Sequence, residues 1–350
     1  MEMLADNIAG IISDYQNEEG IQLTGKNVLD WVRQFEEADQ QFIMEEFYHL
    51  LNQGIYVSRS TAKTMLFEHI QYRANQWKYS NLTDFLNDTS FLNMQKEGKS
   101  QPTLLSLLRE VLQEYNLISY NEGVIKGVKN YIYLDDILAT GNTIFYDCAA
   151  FLSEISENDK RFADLIISGK IRFGISVFCC QSWGLANTQW RLMKTFEDKI
   201  KDKISFLWNY EIQNHPSFAK QLFNHIYPQL PQPSNVTVYL ESLQAEKYGD
   251  KAFRGINKPV IEKFFSSPEN RIRFENIILQ KGLQIIADIK NQSSPGLRPL
   301  GFTSPSHKIL GLGTLFFTWR NIPNNCPLVF WWKVPGHSFC GLFPLKGRGN

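Results

Sequence analysis

The 350-residue sequence contains no apolar run approaching the ~18 residues of a bilayer span. The nearest candidates, Phe173–Cys180 and Ile309–Phe317, have strand length or are broken by glycine, so no membrane partner is expected. The N-terminus carries Glu2 and Asp6 where a secretory leader would be basic and then apolar, so no leader is expected either. Cysteine is scarce: Cys148, Cys179, Cys180, Cys326 and Cys340 form no C-x-x-C pair, and the six histidines are scattered without an H-x-x-x-H. These gaps argue against a disulfide framework and a zinc cluster, and for reduced thiols in a cytoplasmic protein. Internal repeats and low-complexity tracts are also missing.

What is present is an ordinary globular composition with an uneven charge distribution. Net charge is zero, yet residues 1–80 hold 6 Lys/Arg against 12 Asp/Glu, and residues 251–350 hold 14 against 4. Either the two ends meet each other, or the basic end meets a polyanion, which makes nucleic acid a candidate partner for the C-terminal third.

Residues 1–85 read as a helical region, with Val28, Trp31, Val32, Phe35, Phe42, Ile43, Phe47, Leu50 and Leu51 at three- and four-residue spacing. Residues 86–240 alternate strands with helices, which predicts an α/β core with a mostly parallel sheet. Its expected strands are Ser90–Gln95, Leu117–Tyr120, Tyr131–Asp136, Ile171–Cys180 and Ile204–Trp208. The Pro-rich stretch from Pro228 to Pro233 reads as a connector. Residues 241–350 read as a basic, mixed α+β extension packed on the core. Strands are expected at Val236–Leu240, Leu312–Thr318 and Leu328–Lys333, and helices near Pro259–Phe265 and Arg271–Ile289.

The chemistry concentrates in Tyr131–Thr143, Y-I-Y-L-D-D-I-L-A-T-G-N-T. A buried apolar strand ends in Asp135 and Asp136, at the carboxyl end where open α/β sheets bind ligands. The acids are acceptors suited to the two hydroxyls of a ribose. Ala139, Thr140 and Gly141 allow a tight turn and close approach, and Asn142 and Thr143 open a helix whose first amides suit a phosphate.

This segment resembles the signature of type I phosphoribosyltransferases, two acids followed by T-G-x-T, over all thirteen residues. The resemblance implies that Asp135 and Asp136 hold the ribose of phosphoribosyl pyrophosphate (PRPP). It assigns the 5-phosphate to Thr140, Gly141, Asn142 and Thr143, with Ala139 in the same PRPP-binding segment. It also implies Mg²⁺, carried with PRPP or a nucleotide and met through the ligand or by Asp135 and Asp136. The family's pyrophosphate loop falls at Lys96–Gln101, where Gly98, Lys99 and Ser100 offer a turn, a cation and a hydroxyl. Three departures stand out. Only about ten residues, Asn121–Asn130, occupy the place of the family's mobile lid. Ala139 replaces the general-base acid of 6-oxopurine enzymes, although adenine-type members also have alanine there. No base-binding hood is recognisable. A rival pattern, a P-loop ending in Gly98-Lys99-Ser100 with a Walker B strand at Tyr131–Asp136, needs glycine at position 93, which is Asn93.

The helical N-terminus, the D-D-x-x-x-T-G-x-T core and the late Pro323-Asn324-Asn325, followed by Phe330-Trp331-Trp332, resemble a bacterial phosphoribosyltransferase-like group found near conflict and anti-phage genes. That resemblance implies an antiviral-defence module with protein partners. The expectations are therefore an enzyme that transfers or hydrolyses at ribose C1, or a nucleotide sensor acting through partners. Any screening of the site from water would have to come from a partner or from the loop Asn291–Ser306, whose Arg298 is expected to reach a phosphate.

Overall fold

The computed structural model describes every residue except 118–119, 157–158, 217–221, 290–293, 335 and 345–350. The chain divides into two compact units, Ser60–Glu211 and Met1–Arg59 with Ile212–Asn350. The boundaries expected at 85/86 and 240/241 thus differ from those that contacts draw. The N-terminal helices and the C-terminal extension form one unit.

That unit begins with α1 (Glu2–Ile11), α2 (Gly25–Val32), α3 (Glu37–Leu50) and the short strand β1 (Tyr56–Val57). α2 starts where Thr24 and Asn27 form a capping box. α3 buries Phe42, Ile43, Phe47 and Leu50, the stripe that its sequence spacing predicts.

The second unit carries α4 (Arg59–Gln76), α5 (Leu82–Asn87), β2 (Thr89–Phe91), α6 (Ser100–Glu114), β3 (Asn121–Glu122), β4 (Asn130–Leu138), α7 (Asn142–Ser153), α8 (Phe162–Ile167), β5 (Arg172–Gln181), α9 (Ser182–Phe196) and β6 (Ile204–Ile212). The five strands lie in the order β3-β2-β4-β5-β6, and the pairs β2/β3, β2/β4 and β4/β5 are parallel. This is the α/β architecture, a mostly parallel sheet with flanking helices, that the alternating pattern predicts. β4 is covered on both faces, so Tyr131, Ile132, Tyr133 and Leu134 are all buried and its sequence runs apolar rather than alternating. Tyr131 and Tyr133 share one core with Ile144, Phe145, Cys148 and Phe151 of α7, with Phe162 of α8 and with Leu192 and Phe196 of α9.

The opposite face carries α4, whose Arg73 is fully buried against β5 and β6. Its guanidinium donates to Ile175 O (2.8 Å), Ser205 O (3.0 Å) and Ser205 Oγ (2.6 Å). Gly174 makes the room, since a Cβ there would lie 3.0 Å from Arg73 Cζ.

The chain then returns to the first unit through α10 (Ser234–Ser242), α11 (Pro268–Ala287), β7 (Phe317–Thr318) and α12 (Leu328–Trp331). β7 pairs parallel with β1. Here the sequence expectations need correction. Val236–Leu240 lies in a helix, α10, that starts directly after Pro233. Leu328–Lys333 opens as a one-turn helix after Pro327, burying Leu328, Val329, Phe330 and Trp331 together. Of Leu312–Thr318 only the last two residues pair as strand. Pro259–Phe265 is not helical, because the Glu262 carboxylate takes the amides of Phe264 (2.9 Å) and Phe265 (2.8 Å). In the second unit, Leu117–Tyr120 falls partly outside the described residues, and the strand there is Asn121–Glu122.

Trp31 packs on Phe35, Phe47 and Phe330 and donates Nε1–H to Val329 O (2.8 Å). Trp331 likewise donates to Cys326 O (2.8 Å). The late aromatics are thus core residues. The acidic and basic ends also meet inside this unit, through Arg273–Asp39 (2.7 Å) and Ser266 N to Glu46 Oε1 (2.8 Å). Among the described residues no helix is long and apolar enough to cross a membrane.

Arg73→Ala would leave the carbonyls of Ile175 and Ser205 without this donor and open a cavity over the sheet. The expected loss is about 3 kcal/mol, read as a lower urea midpoint at unchanged slope.

Candidate functional site

Numbered within the sheet alone, the strand order is 2-1-3-4-5, and its direction of winding reverses between β2 and β4. Ligands of such sheets sit beyond the carboxyl ends of the strands at that reversal. Two helices begin there, α6 after β2 and α7 after β4. Neither has a side-chain cap: Lys99 and Gly141 occupy the cap positions without such a bond. Each first turn therefore presents amides that the helix itself does not use, together with the positive end of its dipole.

Asp135 stands at the end of β4, buried, with its two oxygens in a dense set of donors. Oδ1 accepts from Ser100 Oγ and from Asp136 N (2.9 Å). Oδ2 accepts from Gln95 Nε2 (3.2 Å) and Tyr133 OH (3.3 Å). The single Tyr133 hydroxyl proton goes mainly to Asp147 Oδ2 on α7 (2.6 Å), leaving Asp135 the longer contact, and Gln95 Nε2 also donates to Asp147 Oδ2 (3.1 Å). Burial and the neighbouring Asp136 push the Asp135 carboxyl up to about 7, against the pull of Ser100 and the Asp136 amide. The same burial and the charges of Asp135 and Asp147 raise the Tyr133 hydroxyl well above its ordinary value.

The expected pyrophosphate-loop residues split. Gly98 turns the chain at φ +83°, Lys99 is exposed, and Ser100 is drawn onto Asp135. Gln101 secures the loop by accepting from Met94 N (2.6 Å) and Gln95 N (3.1 Å).

The loop after β4 is held from behind by α9. Asn187 Nδ2 donates to Thr140 O (3.0 Å), and Thr188 Oγ1 lies 3.4 Å from Gly141 O. Gly141 has φ +81°, and a Cβ there would sit 2.1 Å from Thr188 Oγ1; a Cβ on Gly184 would sit 1.8 Å from Ala139 O. Glycine at 141 is thus required by the close approach of α9, independently of any ligand. Ala139 and Thr140 are half-buried, whereas Asn142 and Thr143 are exposed at the first turn of α7. Arg191 donates to Asn142 Oδ1 (2.7 Å) and lies 3.7 Å above the Phe145 ring.

Sequence reasoning missed Gln95, Tyr133, Asp147, Asn187, Thr188 and Arg191. Tyr133 was recoverable, being two residues before Asp135 on the same face of a strand. The others depend on which helix end meets which loop, for which the sequence carries no cue. Arg298 needs correction. It is buried, and its guanidinium donates to the carbonyls of Pro295 (2.7 Å), Leu297 (2.9 Å) and His307 (3.3 Å), which makes it the anchor of its own loop. Positions 291–293 of that expected loop lie outside the described residues.

The chain belongs to the PRTase-CE family, whose sequence profile matches residues 28–345. Two solved structures resemble it distantly. The AQ2163 protein from Aquifex aeolicus has 12% identity and a TM-score of 0.22, over 35% of this chain and 54% of that one. Helicobacter pylori xanthine-guanine-hypoxanthine phosphoribosyltransferase has 13% identity and a TM-score of 0.25, over 45% and 87%. The match therefore spans about half the length of the Aquifex protein, and neither likeness is close enough to inform the site. No curated protein matches the sequence.

Two outcomes follow from this geometry. Gly184→Ala should destabilise the protein by on the order of 2 kcal/mol or more, because Ala139 O cannot retreat without shifting the loop; thermal unfolding measures it. A carboxyl raised in the folded state opposes folding once ionised, so its contribution is fully present below about pH 4 and lost as pH rises through about 7. Melting temperatures at pH 5 and pH 8 should accordingly show the wild type losing stability relative to Asp135→Asn as pH rises.

Proposed function

We propose that this PRTase-CE chain binds PRPP or a related ribose 5-phosphate nucleotide at the carboxyl ends of β2 and β4. The observation that carries the reading is that two helices without a cap from their own cap residues, α6 and α7, begin at the carboxyl ends of the strands beside the Asp135–Asp136 pair, with the Gln101 amide of α6 bonded to Gln95 Oε1 (3.3 Å). An acid pair accepts the two ribose hydroxyls, the amides of Asn142 and Thr143 take the 5-phosphate, and the first turn of α6, with Gly98, Lys99 and Ser100, faces the pyrophosphate.

Magnesium fits the site in one way only. Among the described residues no three His, Cys, Asp or Glu side chains cluster as a metal site. A Mg²⁺ would be held mainly by the ligand's phosphate oxygens and water, with Asp135 and Asp136 as the protein's carboxylates. Bound so, it would neutralise the pyrophosphate as leaving group. The chain's own residues orient the ribose and hold the phosphate fixed at α7.

A second reading has a specific observation in its favour. The connection between β3 and β4 is short, and Gly123 N donates to Phe91 O (2.8 Å), tying part of it to β2. So small a segment is poorly suited to closing over a reactive ribose centre. On this reading the chain is a ligand sensor that acts through partner proteins, in keeping with a bacterial defence module.

The acid pair tests the site under either reading. Asp135→Asn with Asp136→Asn removes the charged acceptors and should weaken PRPP binding by ~1.5–3 kcal/mol per lost charge-assisted bond. Isothermal titration with Mg²⁺ present measures it, and equal affinities for wild type and double variant would contradict the assignment. Release of pyrophosphate with a panel of bases then separates enzyme from sensor.

A further inference from the structure

Among the described residues, three of the most exposed aliphatic side chains fall within six residues. Ile256 is 65% exposed, Val260 79% and Ile261 66%, on the loop between Arg254 and Phe264. Exposed apolar residues scattered singly are ordinary, but a cluster on one loop is not. The loop is also rigidly based. Buried Arg254 donates to Lys258 O (2.5 Å) inside the loop and pairs with Glu275 (2.9 Å). Glu275 in turn meets Arg271 (3.4 Å), and Arg271 pairs with Glu262 at the loop's far end (2.5 Å). A buried chain of alternating charges thus fixes both ends of a segment whose tip is apolar and in water. Such preorganisation lowers the ordering cost of a binding event.

The charges of the loop are sorted. Its one acid, Glu262, points inward to Arg271, while Lys258 and Lys263 are exposed on either side of Val260 and Ile261. Protein interfaces are depleted of lysine and enriched in aromatic residues and arginine, none of which this tip presents. Aliphatic side chains flanked by lysines match instead the boundary of a bilayer with anionic headgroups, where the stems bury and the ammonium groups stay at the phosphates. Peripheral contact of this kind needs no spanning helix. It also gives a role to part of the basic surplus in residues 251–350, although Arg254, Arg271 and Arg298 of that region are buried.

We propose that the loop Gly255–Lys263 docks the protein on an anionic lipid surface, with Ile256, Val260 and Ile261 inserted and Lys258 and Lys263 on headgroup phosphates. Sedimentation of the full chain with vesicles of phosphatidylcholine containing 30% phosphatidylglycerol (about one lipid in three) at low salt tests it. Binding is expected to anionic vesicles, to weaken in high salt, and to fall at least tenfold in Ile256→Ser/Val260→Ser/Ile261→Ser and in Lys258→Glu/Lys263→Glu. All five positions are exposed, and an unchanged circular dichroism spectrum checks that the variants fold. Failure of the wild type to bind anionic vesicles, or binding unaltered in both variants, would overturn the proposal. So would self-association of the wild type in sedimentation velocity that the serine variant abolishes without any vesicle binding, because the occupant would then be a second copy of the chain.

Discussion

The Asp135 carboxylate is the contact on which the candidate site depends. One buried side chain at the end of β4 gathers the loop after β2 through Ser100 and Gln95, its own strand through Tyr133, and α7 through their shared partner Asp147. Burial and the neighbouring Asp136 disfavour the ionised form of this side chain, and the donors around its oxygens offset only part of that cost. A ribose that takes this carboxylate must replace Ser100 or Gln95. The proposed binding at β4 would therefore be coupled to the position of the loop after β2, the same loop that leads into α6. Recognition of the two ends of a PRPP-like ligand would be linked through one side chain.

The backbone around that carboxylate is rigid for a different reason. Gly141 and Gly184 let the loop after β4 and the first turn of α9 approach within distances that any Cβ would forbid. Asn187 and Thr188 then tie down the carbonyl side of the loop, which leaves its amide side for a ligand. The first turn of α7 has no side-chain cap from Gly141, as the proposed phosphate contact would require. The other unit uses the opposite device, a buried ion chain from Arg254 to Glu262. There the desolvation cost of four charges is offset by their mutual pairing and by hydrogen bonds to backbone groups.

Much of the α/β unit was legible in the sequence because its strands are buried on both faces and its helices carry a clear apolar stripe. Tyr131–Leu134 reads as a central strand for that reason, and the acids, the small residues and the helix start follow in register. The C-terminal region was not legible. Leu328–Trp331 and Val236–Leu240 are short apolar runs, and periodicity alone cannot separate a strand from a single helical turn at that length. Proline at the start of each decides for helix, and tertiary burial of the aromatics completes it. The roles of Arg298 and Asp147 were illegible for another reason. Both are set by contacts between segments distant in sequence or by loop geometry, which no local pattern records.

In the proposed complex a ribose 5-phosphate sits with its phosphate on the first turn of α7 and its hydroxyls on Asp135 and Asp136. The most direct measurement is amide chemical-shift mapping of the labelled protein on titration with ribose 5-phosphate. The largest shifts are expected at Gly141, Asn142 and Thr143, with smaller ones at Ser100 and Gln101 as the loop after β2 exchanges its bonds to Asp135. Saturable shifts confined to other parts of the chain, with those five amides unmoved, would contradict the proposed complex.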